Sequence, residues 1–108
     1  MSIKTPSPML PPETMTRLTP KFAQVTEQVL FGDLWQRSEL TARDRSLITV
    51  AALIALNRNE QLPFHLDLAV KNGVTYSELS EVITHLAFYA GWPAAASALT
   101  RFAALDPQ

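Results

Sequence analysis

The sequence contains no cysteine, and it has only three glycines and two histidines among its 108 residues. The lack of cysteine excludes disulfide bonds, thiolate nucleophiles, and zinc or iron–sulfur sites with cysteine ligands. An excess of either charge is also lacking, because nine basic side chains stand against ten acidic ones. Since nucleic-acid binding needs clustered Lys and Arg, we expect no nucleic-acid partner.

Long apolar runs are missing too. The longest, Val50 to Leu56, is far shorter than the ~20 residues of a membrane-spanning helix. The first 12 residues lack the apolar segment of a signal peptide. We therefore expect a cytoplasmic protein without a membrane partner. Four of the eight prolines lie in residues 1–12, which predicts an extended arm followed by one domain over residues 13–108.

The pattern of apolar residues is helical, with no alternating strand pattern, and predicts an all-α bundle of about five helices. Thr19-Pro20 is a typical helix start, with a capping hydroxyl before a first-turn proline. Gly73 is a typical helix stop, and Thr75 with Glu78 has the spacing of a capping box. The expected helices begin near Pro20, Thr41, Leu62, Thr75 and Trp92.

The helix expected to begin near Thr41 is unusual because it is apolar on every side between Leu47 and Leu56. A helix that is apolar all round is normally buried all round. A single copy of so small a chain has little material with which to cover it. We therefore expect a homo-oligomer in which a second subunit covers part of this helix.

Both histidines are predicted to lie at the boundary between the apolar and polar faces of their helices. His65 lies beside an apolar stripe, and His85 has Glu81 one turn before it and Tyr89 one turn after it. Such imidazoles transfer protons near neutral pH. The alternative is that each is a partly buried histidine bonded to a backbone carbonyl, and helix position alone favours that alternative.

Other side chains are candidates for binding an acid. Arg43 and Arg45 share one helical turn, and a guanidinium binds a carboxylate through two parallel hydrogen bonds; a solvated face or an intersubunit ion pair is the alternative. Glu60 is a candidate acid or base, or only a favourable charge at a helix N-terminus. Trp35 and Trp92 are candidate walls for an unsaturated ring, although such aromatics more often form core. No spacing suits a metal site.

Four short motifs follow one another along the chain: Arg45-Ser46, Glu60-x-x-x-x-His65, Asn72-Gly73-x-Thr75 and Tyr89-Ala90-Gly91-x-Pro93. Their order resembles the carboxymuconolactone decarboxylase family, whose members are small helical proteins, and the resemblance covers residues 31–102. It implies an alkylhydroperoxidase D-like fold and assembly as a trimer or hexamer. It also implies a carboxylated lactone substrate that loses carbon dioxide without a cofactor.

The resemblance implies roles for the site residues as well. We expect Arg45 to position a carboxylate, with Arg43 and Ser46 nearby, and His65 to donate a proton. Tyr89 or His85 would then support the developing oxyanion. His85 stands where the decarboxylases often carry glutamine. This difference leaves the identity of the substrate open.

The peroxidase branch of the same superfamily carries a Cys-x-x-Cys pair where this chain has Arg58 and Gln61, and a glutamate where it has Ser46. Because this chain has no thiolate nucleophile, thiol-dependent peroxide reduction is excluded. Three hypotheses remain. The first is a cofactor-independent carbon–carbon lyase acting on a small anionic unsaturated lactone or keto acid. The others are a proton-transfer isomerase at the same site and a non-catalytic helical oligomer or small-ligand binder.

Overall fold

A computed structural model describes residues 13–105 as helices joined by short turns, with no strand among those residues. The all-α prediction is therefore confirmed. None of the helices within residues 13–105 is long and apolar enough to cross a membrane. The six α-helices of this part are α1 (Glu13–Leu18), α2 (Pro20–Val25), α3 (Ala42–Ala55), α4 (Leu62–Lys71), α5 (Tyr76–Tyr89) and α6 (Trp92–Leu105).

The helix that the sequence did not predict is α1. It has only six residues, too few to show an apolar repeat from which a helix is recognised, and none of them is buried. The predicted N-terminal arm, residues 1–12, lies outside the described residues. The predicted cap at Thr19 is wrong: its hydroxyl donates to the Met15 carbonyl at 2.8 Å and makes no capping bond to α2, although α2 does begin at Pro20.

The tertiary contacts divide the chain between Ala42 and Arg43 into two compact units. In the first unit, a π-helical segment (Thr26–Phe31) follows α2 directly, and a 3₁₀ turn (Leu34–Gln36) comes next. The side-chain amide of Gln36 donates to the Phe31 carbonyl at 2.9 Å, which ties the turn to the end of the π-helical segment. Large apolar side chains stay exposed in this unit, namely Leu18, Phe22, Val29, Leu30, Leu34 and Leu40.

The second unit packs α3 to α6 around one apolar core. Helix α6 lies against both α4 and α5, and its buried face is made of alanines, which allows the helix backbones to approach closely. On α3, Val50 and Ile54 are buried, but Ile48 is exposed, so a single copy leaves part of this apolar helix uncovered. The buried core consists of Val50, Ile54, Leu62, Leu66, Ala69, Val74, Leu79, Ile83, Ala94, Ala95 and Ala98.

Helix α4 ends in a Schellman motif. The N–H of Val74 donates to the Ala69 carbonyl at 2.9 Å, and the N–H of Gly73 donates to the Val70 carbonyl at 3.0 Å. Gly73 has a φ of +102°, in the left-handed region that residues with a Cβ rarely adopt. The predicted stop is therefore confirmed, with the glycine at the position that requires it.

Helix α5 begins with the predicted capping box. The Thr75 hydroxyl accepts the N–H of Glu78, and the Glu78 carboxylate accepts the N–H of Thr75, each at 3.0 Å. The two side-chain acceptors thus satisfy donors that the first helical turn leaves unpaired. The arrangement fixes the Glu78 carboxylate at the start of α5.

Candidate functional site

The start of α3 is tied to the turn that follows α4. The side-chain amide of Asn72 donates to the hydroxyl of Ser46 at 3.0 Å, and Ser46 is fully buried. The Nε of Arg43 donates to the Gly73 carbonyl at 3.4 Å. Since only a short turn joins α3 to α4, these bonds make the two helices antiparallel neighbours. Two motifs that are distant in sequence therefore meet in space, and Ser46 contributes to holding them together.

A single carboxylate joins α3 to α5. Arg43 Nη2 forms an ion pair with Glu78 Oε2, while Glu78 Oε1 accepts the N–H of Thr75. The hydrogen bond from the Thr75 backbone, and then the contact with Arg43, lower the pKa of the Glu78 carboxyl below its ordinary value. Glu78 is therefore ionised at neutral pH and has two fixed partners.

A cavity of about 450 Å³ lies between α3 and α5, within the size range of small-molecule sites. Most of its lining is apolar, and we call the side chains of Leu47, Ile48, Ala51, Val82 and Leu86 its floor. The polar side chains of the lining are Arg43, Glu78, Glu81 and His85. Among the described residues that line it, Arg43 is the only Arg or Lys. The lining comprises Arg43, Leu47, Ile48 and Ala51 from α3, and Glu78, Glu81, Val82, His85 and Leu86 from α5.

The polar groups of this cavity are separated along the helix axes. Arg43 lies beside Glu78, so α3 and α5 start at the same end of the cavity. His85 lies seven positions after Glu78, which corresponds to about 10 Å at the rise of an α-helix. A guanidinium and an imidazole therefore stand at opposite ends of an apolar floor.

His85 is paired with Tyr89, as the spacing of one helical turn predicts. The two rings are stacked, with centroids 4.7 Å apart and planes inclined by 22°. Both residues are exposed. Glu81, one turn before His85, lines the same cavity. Glu81 and His85 thus border the cavity, whereas Tyr89 reaches it only through its stacking on His85.

His65 lies elsewhere on the second unit. It is half-buried on α4, its ring packs edge-on against Phe64 with centroids 5.0 Å apart, and its Nδ1 is shielded from solvent. Burial lowers the pKa of His65 from its ordinary value, so the ring is neutral at neutral pH. It is not among the described residues that line the α3–α5 cavity.

His65 and Arg45 lie on the two helices that the Ser46–Asn72 bond joins. Asn72 contacts Ser46, and His65 precedes Asn72 by seven positions, so it lies about 10 Å along α4 from that contact. Arg45 is buried at the level of Ser46. Arg45 Nε and His65 Nδ1 are both shielded from solvent within the second unit.

The remaining predicted site residues are dispersed. Glu60 is exposed in the turn before α4. Trp92 packs edge-on against Phe88, with centroids 5.3 Å apart, and lines a second cavity of about 470 Å³ between α5 and α6. None of the described residues that line this second cavity is charged. Trp35, in the first unit, is half-buried with its ring 5.8 Å from that of Phe31.

Sequence reasoning assigned Glu78 only to the helix cap and did not place it in a site. A signal was present, because Glu78, Glu81 and His85 recur on one flank of α5 at spacings of three and four residues. The ion pair with Arg43 had no local signal, since 35 positions separate the two residues. Within residues 13–105, no group of three His, Asp or Glu side chains is arranged to hold a metal ion.

The chain resembles known proteins over most of its length. A model of the carboxymuconolactone decarboxylase family matches residues 20–104, which include the whole α3–α5 cavity. The chain is 38% identical over 87 residues to 4-carboxymuconolactone decarboxylase of Acinetobacter baylyi, covering 81% of this chain and 65% of that protein. It is 36% identical over 69 residues to nitrosuccinic acid decarboxylase of Metarhizium robertsii, covering 64% of this chain and 48% of that protein. It thus spans less than two thirds of either relative.

Proposed function

The chain belongs to the carboxymuconolactone decarboxylase family, and from this premise we propose that it is a carbon–carbon lyase that removes carbon dioxide from a small, anionic, unsaturated lactone or keto acid without a cofactor. The observation that carries the proposal is the α3–α5 cavity, with its guanidinium and imidazole at opposite ends of an apolar floor. Both relatives are named as decarboxylases of organic acids, which supports the same class of reaction.

In this proposal Arg43 binds the carboxylate of the substrate. A guanidinium carries five N–H groups, and those of Arg43 have two partners in the structure, Gly73 and Glu78. The other N–H groups remain for an incoming carboxylate at the end of the cavity. Because the two existing bonds hold the guanidinium in place, little side-chain entropy is lost when the substrate binds.

The reaction then needs an electron acceptor and a proton. When the bond to the carboxylate carbon breaks, carbon dioxide leaves and the electron pair passes into the conjugated carbonyl of the substrate. His85 donates the proton that returns to the carbon skeleton. The stacked Tyr89 ring restricts the rotation of the His85 imidazole. The separation of about 10 Å suits an unsaturated acid that lies along the floor and accepts its proton far from Arg43.

We assign proton donation to His85 rather than to His65 for a physical reason. Burial lowers the pKa of His65 and keeps it neutral at neutral pH, and a neutral imidazole is a weak acid. His85 is exposed and lines the cavity. The proposal thus moves the roles that the sequence predicted for His65 and Arg45 to His85 and Arg43, while the role predicted for Glu60 stays a prediction.

The test is release of carbon dioxide from 4-carboxymuconolactone and a panel of unsaturated keto acids. We expect His85→Ala and Arg43→Ala to lower the rate by about 100-fold, in the range typical of a lost proton donor or oriented charge. His65→Ala is the matched histidine variant, and we expect it to keep most of the rate. If the unmodified protein releases no carbon dioxide from any of these acids, the decarboxylase proposal is wrong.

We further propose that the protein assembles as a homo-oligomer, a trimer or hexamer as the family resemblance implies. Phe88 and Trp92 are 73% and 65% exposed and adjoin the apolar α5–α6 cavity, and Ile48 is exposed on α3. Phe88 and Trp92 are in contact and form a contiguous apolar surface, which is unfavourable in water unless a partner covers it. Gel filtration with light scattering provides the test, and a monodisperse monomer at micromolar concentration contradicts it.

The partners in this proposal are a small acid and further copies of the chain. A cytoplasmic location, and the lack of nucleic-acid and membrane partners, stay predictions made from the sequence.

A further inference from the structure

The start of α5 carries an inference about how the substrate is oriented, which rests on the function proposed above. We propose that Glu78 is a positioning residue of this site, which acts on the substrate through Arg43. The Glu78 carboxylate fixes the orientation of the guanidinium and offsets part of its charge. Arg43 can then orient the carboxylate of the substrate without binding it tightly.

Arg43 has two anchors, one in the turn after α4 and one in the first turn of α5. Its Nε donates to the Gly73 carbonyl at 3.4 Å, and its Nη2 is paired with Glu78 Oε2. The bond to Gly73 is long and its acceptor is neutral, so the charged contact with Glu78 is the stronger anchor. Neither contact uses Nη1 of Arg43, which leaves the two N–H groups of that atom for a substrate carboxylate.

The carboxylate that anchors Arg43 is itself fixed by the backbone. Glu78 Oε1 accepts the N–H of Thr75, and the Thr75 hydroxyl accepts the N–H of Glu78, each at 3.0 Å. The two oxygens of Glu78 thus have separate partners, one on the backbone and one on Arg43. Because the capping box restricts the side-chain rotation of Glu78, the guanidinium takes its orientation from the backbone at the start of α5.

Stability alone does not account for the charge of Glu78. The side chains of Arg43 and Glu78 are 37% and 44% exposed, and exposed ion pairs add little to the free energy of unfolding. The capping box does stabilise α5, but it needs only a side-chain oxygen that accepts the Thr75 N–H, which a glutamine also supplies. The negative charge therefore serves the contact with Arg43 rather than the cap.

A partly offset charge on Arg43 suits the loss of carbon dioxide. The reacting carboxylate is an anion and carbon dioxide is neutral, so a full positive charge beside the carboxylate stabilises the ground state more than the transition state. Glu78 reduces this ground-state stabilisation because it neutralises part of the charge of Arg43. The fixed orientation is kept, and orientation of the reacting group raises the rate.

Glu78→Gln tests this role, because glutamine keeps the cap and removes the charge. We expect kcat for the acid that the protein turns over to fall by about tenfold, since the guanidinium is no longer held in one orientation. We expect KM to fall as well, because the full charge of Arg43 then binds the carboxylate in the ground state. Arg43→Ala, by contrast, should raise KM. Urea unfolding should show little change in stability for Glu78→Gln.

A double variant shows whether Glu78 acts through Arg43. Adding Glu78→Gln to Arg43→Ala should not slow the reaction further, because the group that Glu78 positions is already absent. Asp67→Asn is the control, since Asp67 pairs with Lys71 on α4 and does not line the cavity, while the change in net charge is the same. It should leave kcat and KM unchanged.

A second measurement needs no turnover. Nuclear relaxation of the Arg43 Nε signal, in the isotope-labelled full chain, reports how freely the guanidinium moves on the ps–ns timescale. We expect restricted motion in the unmodified protein and in Asp67→Asn, and freer motion in Glu78→Gln. Sorbate, an unsaturated monocarboxylate, should shift the Nε signal and bind more tightly to Glu78→Gln than to the unmodified protein. The neutral amide of sorbate should leave the signal unchanged.

These measurements separate the inference from the decarboxylase proposal. The inference is overturned if Glu78→Gln leaves the motion of Arg43 Nε or kcat unchanged, if it raises KM, or if it slows Arg43→Ala further. It is also overturned if Glu78→Gln loses as much stability as Thr75→Ala, since the charge would then serve the cap. Freer motion of Arg43 and tighter binding of sorbate in Glu78→Gln support the inference even when no acid releases carbon dioxide. That combination refutes the decarboxylase proposal alone.

Discussion

Asn72 donates a hydrogen bond of 3.0 Å to Ser46, whose hydroxyl is buried at the start of α3. This contact joins two sequence motifs that lie 26 positions apart. It also makes α3 and α4 antiparallel neighbours and thereby fixes the end of the cavity where Arg43 stands. Ser46 of the Arg-Ser motif and Asn72 of the Asn-Gly motif therefore stabilise the fold, whether or not they also contact a substrate.

The Ser46–Asn72 bond leads to a prediction about stability. Asn72→Ala leaves a buried hydroxyl without its partner, which costs about 1–3 kcal/mol, whereas Ser46→Ala leaves a half-buried amide that water can reach and costs less. Urea unfolding of the two single variants and of the double variant shows which single variant loses more stability. It also measures the coupling energy between the two residues. We expect the double variant to lose less stability than the sum of the single losses. Strict additivity would show that the bond contributes nothing.

Gly73 leads to a second prediction. Its φ of +102° is strained for any residue with a Cβ, while the nearest atom to an added Cβ is Arg43 Cδ at 3.9 Å, an ordinary contact. Gly73→Ala should therefore cost about 1–2 kcal/mol through backbone strain alone. Gly91→Ala is the matched variant, with a φ of +106° and similar space around it. Thermal unfolding should show comparable losses for both, and a neutral Gly73→Ala would contradict the assignment of the helix stop.

His65 leads to a prediction about pH. Its folded-state pKa lies below the ordinary value of 6.5 because burial disfavours the charged ring. The unfolded chain therefore binds the proton more readily, and the free energy of unfolding falls as the pH drops below about 6.5 towards the folded-state pKa. Above that range both states are neutral at this position and the slope vanishes.

The measurement for His65 is urea unfolding between pH 8 and about pH 5, the interval in which histidine titrates. His65→Gln, which cannot titrate, should flatten the pH dependence in the acidic half of the interval. His85→Gln is the matched control and should keep the slope that His65 contributes. An unchanged slope in His65→Gln would show that the ring is not desolvated in the folded protein.

The features that could be predicted from the sequence are those fixed by neighbouring residues. The stop at Gly73 and the capping box of Thr75 with Glu78 depend on hydrogen bonds within a few positions, so their residue types are readable directly. The half-buried state of His65 followed from its place beside an apolar stripe. By contrast, the hydroxyl of Thr19 can either accept an N–H of α2 or donate to the carbonyl one turn earlier. In the structure it donates to the Met15 carbonyl and does not cap α2.

The site was less predictable because its groups come from separate helices. Nothing local indicates that Arg43 pairs with Glu78, since the pairing depends on how α3 and α5 pack. The Arg-Ser motif singled out Arg45, but two positions of helical rotation bury Arg45 and bring Arg43 to the cavity instead. The sequence predicted only one pair of these residues together, His85 with Tyr89, because the two lie one turn apart on α5.

Tyr89 allows the hydroxyl and the ring to be tested separately in the proposed reaction. Its ring is stacked on His85 at 4.7 Å, and 78% of the residue is exposed to solvent, so the hydroxyl is well hydrated and poorly suited to stabilise an oxyanion. We expect Tyr89→Phe to keep the stack and most of kcat, and Tyr89→Ala to lower kcat by about tenfold, since His85 then gains rotamer freedom and proton donation suffers. The assay is release of carbon dioxide across the pH range of histidine titration. If Tyr89→Phe is as slow as Tyr89→Ala, the hydroxyl rather than the stacked ring acts in the reaction, and Tyr89 does more than hold the imidazole of His85 in place.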